Sequence, residues 1–257
     1  MSDVVLYEQQ GAVAIIILNR PDRMNSFNTQ LSVELLENLD RANEDKSVRV
    51  VVLAGAGSCF SAGADLIIGL EGKTLQEKLQ SEFRPFLAAI AAMPKPVIAA
   101  VNETAAGISM SLALQCDLLI MADNAFLLSP FTTISLVPDG GLNWLLVRQL
   151  GYRRAFQLSI ESDRIDAASC VKLGLANKTA PADQLLPAAI QWAEQLSERA
   201  PLSLAATKKA MRFAMDNHWD SSFDTEVDLQ DVLIQSEDSV EGIAAYLEKR
   251  NPVFKGK

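Results

Sequence analysis

The chain has 257 residues and a formal net charge of −9, from 23 Lys and Arg against 32 Asp and Glu. An acidic surface does not attract phosphate backbones or anionic lipid, which argues against a nucleic-acid-binding or membrane-binding protein. Hydrophobic residues make up 49% of the chain and charged residues 21%, which is typical of a packed globular protein and not of a disordered one. This length allows one large domain, or a domain with an extension.

The thiols and the single imidazole exclude several kinds of site. Cys59, Cys116 and Cys170 form no C-x-x-C pair, so we expect reduced thiols and no disulfide framework. His218 is the only histidine, so we expect no zinc site, and any Ser-His-Asp or Cys-His mechanism would have to use it.

Residues 1–8 lack a basic segment and an apolar core, and no apolar run is long enough to span a bilayer. A soluble, cytoplasmic protein is therefore expected.

Hydrophobic periodicity predicts an α/β fold followed by a helical region. In chain order, strands are expected at 4–8, 12–18, 48–54, 96–101, 117–121 and 125–128. Helices are expected after a cap at Asn28, and over 75–92, 107–116, 142–150, 183–199, 202–215, 223–235 and 240–249. This alternation favours a central sheet covered by helices, with residues 1–190 forming the core and 191–257 a helical C-terminal region.

Two segments rich in small residues follow predicted core strands. The first turn (residues 60–66, FSAGADL) lets backbone N–H groups approach a ligand, although a tight turn without a ligand fits the same residues. The second turn (residues 102–111) leads into a helix, whose N-terminus offers unpaired N–H donors, although plain helix packing also explains its small residues. Two such donor sets could meet at one carbonyl oxygen and form an oxyanion hole. Neither segment has the pattern of a phosphate-binding loop.

Ordered motifs along nearly the whole chain resemble those of the crotonase superfamily, the enoyl-CoA hydratase/isomerase family. They are Asn19-Arg20-Pro21, the two turns, the Cys116-Asp117 pair, residues 137–141 (VPDGG), 174–176 (GLA), 236–238, 241–242 and 254–257. The resemblance implies a crotonase-like spiral of β-β-α units and a helical trimerisation region over 191–257. It also implies a homotrimer or a dimer of trimers, and an acyl-CoA thioester as substrate.

The resemblance also assigns roles to residues. The backbone N–H groups of Ala64 and Ile108 would hold the thioester oxygen. The rest of the substrate site would comprise Arg23, Met24, Ala62, Gly63, Asp65, Leu66, Gly107, Ser111, Phe131 and Gly140. Arg23, or a lysine near the C-terminus, would pair with a phosphate of coenzyme A. No metal and no cofactor other than the coenzyme A of the substrate is implied.

The carboxylates indicate which reaction the resemblance favours. Hydratases of the family carry two glutamates, and Ser111 and Phe131 stand at those positions here, leaving Asp139 as the single carboxylate. One base can move a proton from C2 to C4, so the pattern favours an isomerase that converts 3-enoyl-CoA to 2-enoyl-CoA. Asp139 could instead serve only the Pro-Asp-Gly turn. A hydratase, another crotonase-family reaction, or an inactive acyl-CoA-binding homologue remain alternatives.

Overall fold

A six-stranded sheet forms the centre of the protein in the computed structural model, which describes residues 3–257. The strands of the described residues are β1 (Val5–Gln10), β2 (Val13–Leu18), β3 (Val50–Gly55), β4 (Val97–Val101), β5 (Thr104–Ala106), β6 (Leu118–Ala122), β7 (Phe126–Leu128), β8 (Ile165–Asp166) and β9 (Lys178–Ala180). The large sheet has the order β1-β2-β3-β4-β6-β9, and a small sheet has the order β5-β7-β8. Residues 1 and 2, part of the N-terminal stretch interpreted above, lie outside the described residues.

Helices cover this sheet and continue to the C-terminus. They are α1 (Thr29–Glu44), α2 (Leu75–Lys78), α3 (Arg84–Ala92), α4 (Ile108–Gln115), α5 (Leu142–Leu150), α6 (Tyr152–Glu161), α7 (Ala167–Leu173), α8 (Leu185–Ser197), α9 (Pro201–Ala214), α10 (Trp219–Leu233) and α11 (Glu237–Glu248). None of the helices in the described part of the chain is long and apolar enough to cross a membrane.

Parallel pairing determines where the two turns lie. β1 and β2 form an antiparallel hairpin, whereas β2, β3, β4, β6 and β9 pair in parallel. All residues of β4 and all but the last of β3 are buried, as expected for strands with both faces covered. The carboxyl ends of parallel strands meet at one edge of a sheet, so the segments after β3 and β4 begin side by side.

Most of the predicted elements are present with small shifts at their ends. The Asn28 side chain caps α1 by accepting a hydrogen bond from the Leu31 N–H at 2.9 Å. The helix expected over 75–92 is interrupted by one wider π-helical turn at Leu79–Phe83, between α2 and α3. The sequence interpretation missed β5, β8, β9, α6 and α7, and the three strands are too short to show a period.

The C-terminal helices divide into one that packs on the sheet and three that are more open. The division predicted after residue 190 falls inside α8, whose Leu185, Ala189 and Ala193 are buried in the core. In contrast, no residue of α9 or α10 is fully buried in the chain. α8 therefore packs with the core, while α9 and α10 are more open.

A cluster of charged side chains attaches α9 to the core. The Lys208 ammonium donates to Asp117 Oδ2 at 2.6 Å and to the carbonyl oxygen of Ile90 at 2.9 Å. Arg212 donates to Asp117 Oδ1 at 3.1 Å and to the carbonyl oxygen of Gln115 at 2.8 Å. Burial lowers the pKa of Lys208 despite the neighbouring carboxylate. The cluster links α9 to the C-terminal ends of α3 and α4.

Candidate active site

The first turn is fixed by β-bridges to a neighbouring segment on each side. Phe27 pairs with it in short β-bridge geometry, because the Phe27 N–H donates to the Gly63 carbonyl at 2.7 Å and the Asp65 N–H donates to the Phe27 carbonyl at 2.9 Å. On the other side, Ser61 bridges to Ala105 of β5. Ala64 therefore lies in a segment whose backbone position is fixed by hydrogen bonds.

The second turn lies directly against the first. Gly63 has φ +98°, and a Cβ atom there would lie 2.7 Å from the Ala106 carbonyl oxygen and 3.7 Å from Gly107 Cα. A side chain at this position would push the two turns apart, so the approach requires glycine. Within the described residues, the N–H groups of Ala64 and Ile108 have no protein acceptor, and Ile108 is the first residue of α4.

Two buried hydroxyl groups support this contact. Ser109 Oγ donates to Ser61 Oγ, and Ser61 Oγ also accepts from the Gly63 N–H at 3.2 Å. Both serines are completely buried. The sequence interpretation did not single out Ser61 or Ser109, although both lie inside the two turns. Their presence in those turns was a signal that could have identified them.

The turn that carries Asp139 packs on the first turn of α4. Gly140 has φ +63°, and a Cβ atom there would overlap the Ile108 side chain and lie 2.9 Å from Ser111 Cβ. Ser111 Oγ donates to the Asp139 carbonyl at 2.9 Å, and the Leu142 N–H donates to the same oxygen at 3.1 Å. These contacts bring Asp139 to the helix end where the free N–H of Ile108 lies.

Asp139 is half-buried, and its carboxyl group lacks a full set of partners. Its Oδ1 atom has no hydrogen-bond partner among the described residues. Burial raises the pKa of Asp139 to about 6. A carboxylate with a pKa near neutrality is a stronger base than an exposed one, and perturbed groups of this kind cluster at functional sites. The arrangement can hold a negative oxygen at two N–H donors and move a proton nearby.

Comparison with known proteins identifies the family. Residues 8–257 match the family model described as enoyl-CoA hydratase/isomerase. The chain belongs to this family. A probable enoyl-CoA hydratase of Rhodobacter capsulatus is 37% identical over 254 residues, covering 98% of each protein. The 1,2-epoxyphenylacetyl-CoA isomerase of Escherichia coli is 34% identical over 262 residues, covering 100% of both.

Solved structures confirm the crotonase fold predicted from the motifs. The crystal structure of an enoyl-CoA hydratase from Polaromonas sp. JS666 matches with a TM-score of 0.93 and 33% identity, covering 98% of this chain and 99% of that one. The relatives include both hydratases and isomerases, so membership in the enoyl-CoA hydratase/isomerase family indicates an enzyme without choosing between these reactions.

The two positions expected to carry glutamates in hydratases of the family are buried and hold no carboxylate. Ser111 is completely buried and its hydroxyl is used by the Asp139 carbonyl. Phe131 is also buried, and its Cζ lies 3.8 Å from the place a Gly107 Cβ would occupy. The wall beside the second turn is therefore apolar.

The residues assigned to coenzyme A binding differ in their surroundings. Arg23 is exposed beside Met24, whose carbonyl accepts from the Ala62 N–H at 2.9 Å. Leu66 is exposed. Asp65, in contrast, is buried, and its carboxylate pairs with Arg20 at 3.0 Å.

The carboxylate of Asp65 is engaged within the protein, whereas contact of its backbone with the substrate stays a prediction. Its Oδ1 accepts from the N–H groups of Ile67 and Ile68, both at 3.2 Å. Burial would raise the pKa of Asp65, but the hydrogen bonds from Ile68 and Arg20 lower it overall. Since both carboxylate oxygens are engaged within the protein, the Asp65 side chain positions the first turn.

The other reactive side chains stand apart from this arrangement. His218 is exposed at the start of α10. All three cysteines are free and buried, and burial raises the pKa of Cys59 to about 11, which disfavours a nucleophilic thiolate. In the described part of the chain, no group of three or more His, Cys, Asp or Glu side chains could hold a metal ion.

Proposed function

We propose that the protein is an acyl-CoA isomerase that shifts a double bond from the 3,4 to the 2,3 position of an enoyl-CoA. The Asp139 carboxylate takes a proton from C2, and the electron pair moves to the thioester oxygen. The N–H groups of Ala64 and Ile108 hold the resulting enolate. Asp139 then returns the proton at C4, so that no atom is gained or lost.

One observation carries this proposal: the contacts of Ser111 and Gly140 bring Asp139 to the first turn of α4, where the N–H of Ile108 lies. Its partnerless Oδ1 atom and its raised pKa suit a base that gives its proton back. Water addition needs a base that activates a water molecule, and neither Ser111, whose hydroxyl proton is donated to the Asp139 carbonyl, nor Phe131 offers one beside the second turn.

Binding of the substrate and assembly complete the proposal. Coenzyme A would run from Met24 to the first turn, with the exposed Arg23 pairing with one of its phosphates.

We expect a cytoplasmic homotrimer or dimer of trimers that needs no metal and no further cofactor. The apolar side chains exposed on α10 and α11, among them Trp219, Phe223, Tyr246 and Leu247, are consistent with such an assembly.

Exchange of the C2 protons tests the chemistry before the natural substrate is known. The protein is incubated with a saturated acyl-CoA in deuterated water, and deuterium at C2 is followed by mass spectrometry. We expect exchange that falls at least about 100-fold in Asp139→Asn, while acyl-CoA binding survives. The exposed Asp163→Asn is the matched control and should exchange as the wild type does. Binding without exchange in the wild type would instead support an inactive homologue.

A hydratase is the alternative, because the relative with 37% identity is named a probable enoyl-CoA hydratase. The two reactions differ in whether water becomes part of the product. Incubation with crotonyl-CoA, followed by chromatography, separates them. Formation of 3-hydroxybutyryl-CoA that depends on Asp139 would replace the isomerase proposal by hydration.

A further inference from the structure

A groove of about 570 Å³ opens beside the Asp139 turn. One wall begins at Gly140 and includes Trp144 of α5, and the other is the helical segment from Leu79 to α3. Small-molecule sites typically have volumes of about 300–1,000 Å³. The groove is large enough for an acyl group and starts at the residue next to the proposed base.

Much of the groove lining is apolar. Leu79, Phe83, Leu87 and Trp144 line the groove, and the π-helical turn at Leu79–Phe83 contributes two of them. π-Helical turns occur frequently at functional sites, because the extra residue changes which side chains share a face. This apolar part suits the methylene groups of an acyl chain.

Three charged side chains also line the groove, and two of them are already paired. Arg212 is bound to Asp117, and Asp216 accepts hydrogen bonds from Arg148 at 2.7 Å and from Trp144 Nε1 at 3.3 Å. The third is Arg84, whose guanidinium has one partner in the described residues, the neutral Gln80 Oε1 at 2.9 Å.

An arginine with one neutral partner is suited to bind an anion. The guanidinium has five N–H donors and matches a carboxylate bidentately, so most of the Arg84 donors remain available. The chain as a whole is acidic, and a local cation at the groove would be the element that attracts a negative acyl group.

We infer that Arg84 binds a carboxylate at the far end of the acyl chain, so that the preferred substrates are coenzyme A monothioesters of dicarboxylic acids. This inference rests on the proposed function, because it places the thioester at Ala64 and Ile108. It adds that the acyl group follows the groove from Gly140 towards α3.

Binding of two saturated probes tests the inference without requiring turnover. Adipyl-CoA and hexanoyl-CoA have six acyl carbons each and differ in the terminal carboxylate. Titration calorimetry on the wild type should give a Kd about tenfold lower for adipyl-CoA, with the difference shrinking at high salt. In Arg84→Met the two Kd values should become equal, and Arg84→Lys should keep part of the preference. The exposed Arg153→Met on α6 has the same change of charge and should keep all of it.

The other outcomes are distinct. Equal Kd values in the wild type, or a preference that survives in Arg84→Met, would overturn the inference. Equal weakening of both probes in Arg84→Met would show that Arg84 binds a phosphate of coenzyme A, which also overturns it. A failed exchange experiment with intact adipyl-CoA preference would overturn the isomerase proposal alone. Failure of both probes to bind would overturn both.

Discussion

Asp139 is the residue whose titration should be visible in both the activity and the stability of the protein. Its pKa of about 6 comes from burial alone, with no charged partner to favour the ionised form. Because the base must be ionised, the exchange rate should rise about tenfold per pH unit below 6 and level off above it. Rate measurements between pH 4.5 and 8 check this, and a flat profile would contradict the assignment.

The raised pKa of Asp139 should make the protein less stable as pH rises, whereas the same rise in pH increases its activity. The folded state keeps the Asp139 proton at pH values where the unfolded chain, with a carboxyl pKa near 3.9, has lost it. The free energy of unfolding should therefore fall as pH rises from about 4 through 6. The wild type should lose stability relative to Asp139→Asn over that window, as measured by denaturant unfolding at several pH values.

At the level of elements, the contact between the Asp139 turn and α4 should depend on one glycine. Gly140 and Gly141 both have positive φ, but only a Cβ at Gly140 meets other atoms, those of Ile108 and Ser111. Gly140→Ala should lower the free energy of unfolding by about 2–4 kcal/mol and greatly reduce proton exchange, because strain and overlap add. Gly141→Ala should cost about 1 kcal/mol from strain alone. Equal effects of the two substitutions on unfolding and exchange would refute the contact.

The secondary-structure elements differ in how far the sequence predicts them. The long periodic helices and the buried strands were predictable because each repeats its pattern several times. The two turns could be recognised by their small residues. Their close approach, however, depends on a contact between Gly63 and Ala106, which are 43 positions apart in the chain. Likewise the pairing of Asp65 with Arg20, and the groove at Arg84, arise from packing between separate segments and leave no local pattern.

At the scale of the whole molecule, Asp117 connects the core to the C-terminal helices. Its carboxylate binds Lys208, Arg212 and the Val97 N–H. Asp117→Asn should lower the free energy of unfolding by about 2 kcal/mol, because a buried ammonium keeps only neutral partners. Glu248→Gln, which weakens an exposed pair with Arg250, should cause no measurable change. Denaturant titrations at one protein concentration compare them, and equal midpoints would contradict this role.

The π-helical turn between α2 and α3 has a consequence for how the protein can diverge. Such a turn holds one residue more than an α-helical turn, so deleting one residue there would leave a continuous α-helix with both ends still attached. Because the wide turn absorbs the extra residue, the side chains before and after it would keep their faces, and only those within the turn would change position. A single-codon loss could thus change the residues that the turn presents to the groove in one event, with the sheet and the Asp139 turn unchanged. Gain and loss of residues in this helix are therefore expected to alter substrate range faster than point substitutions do.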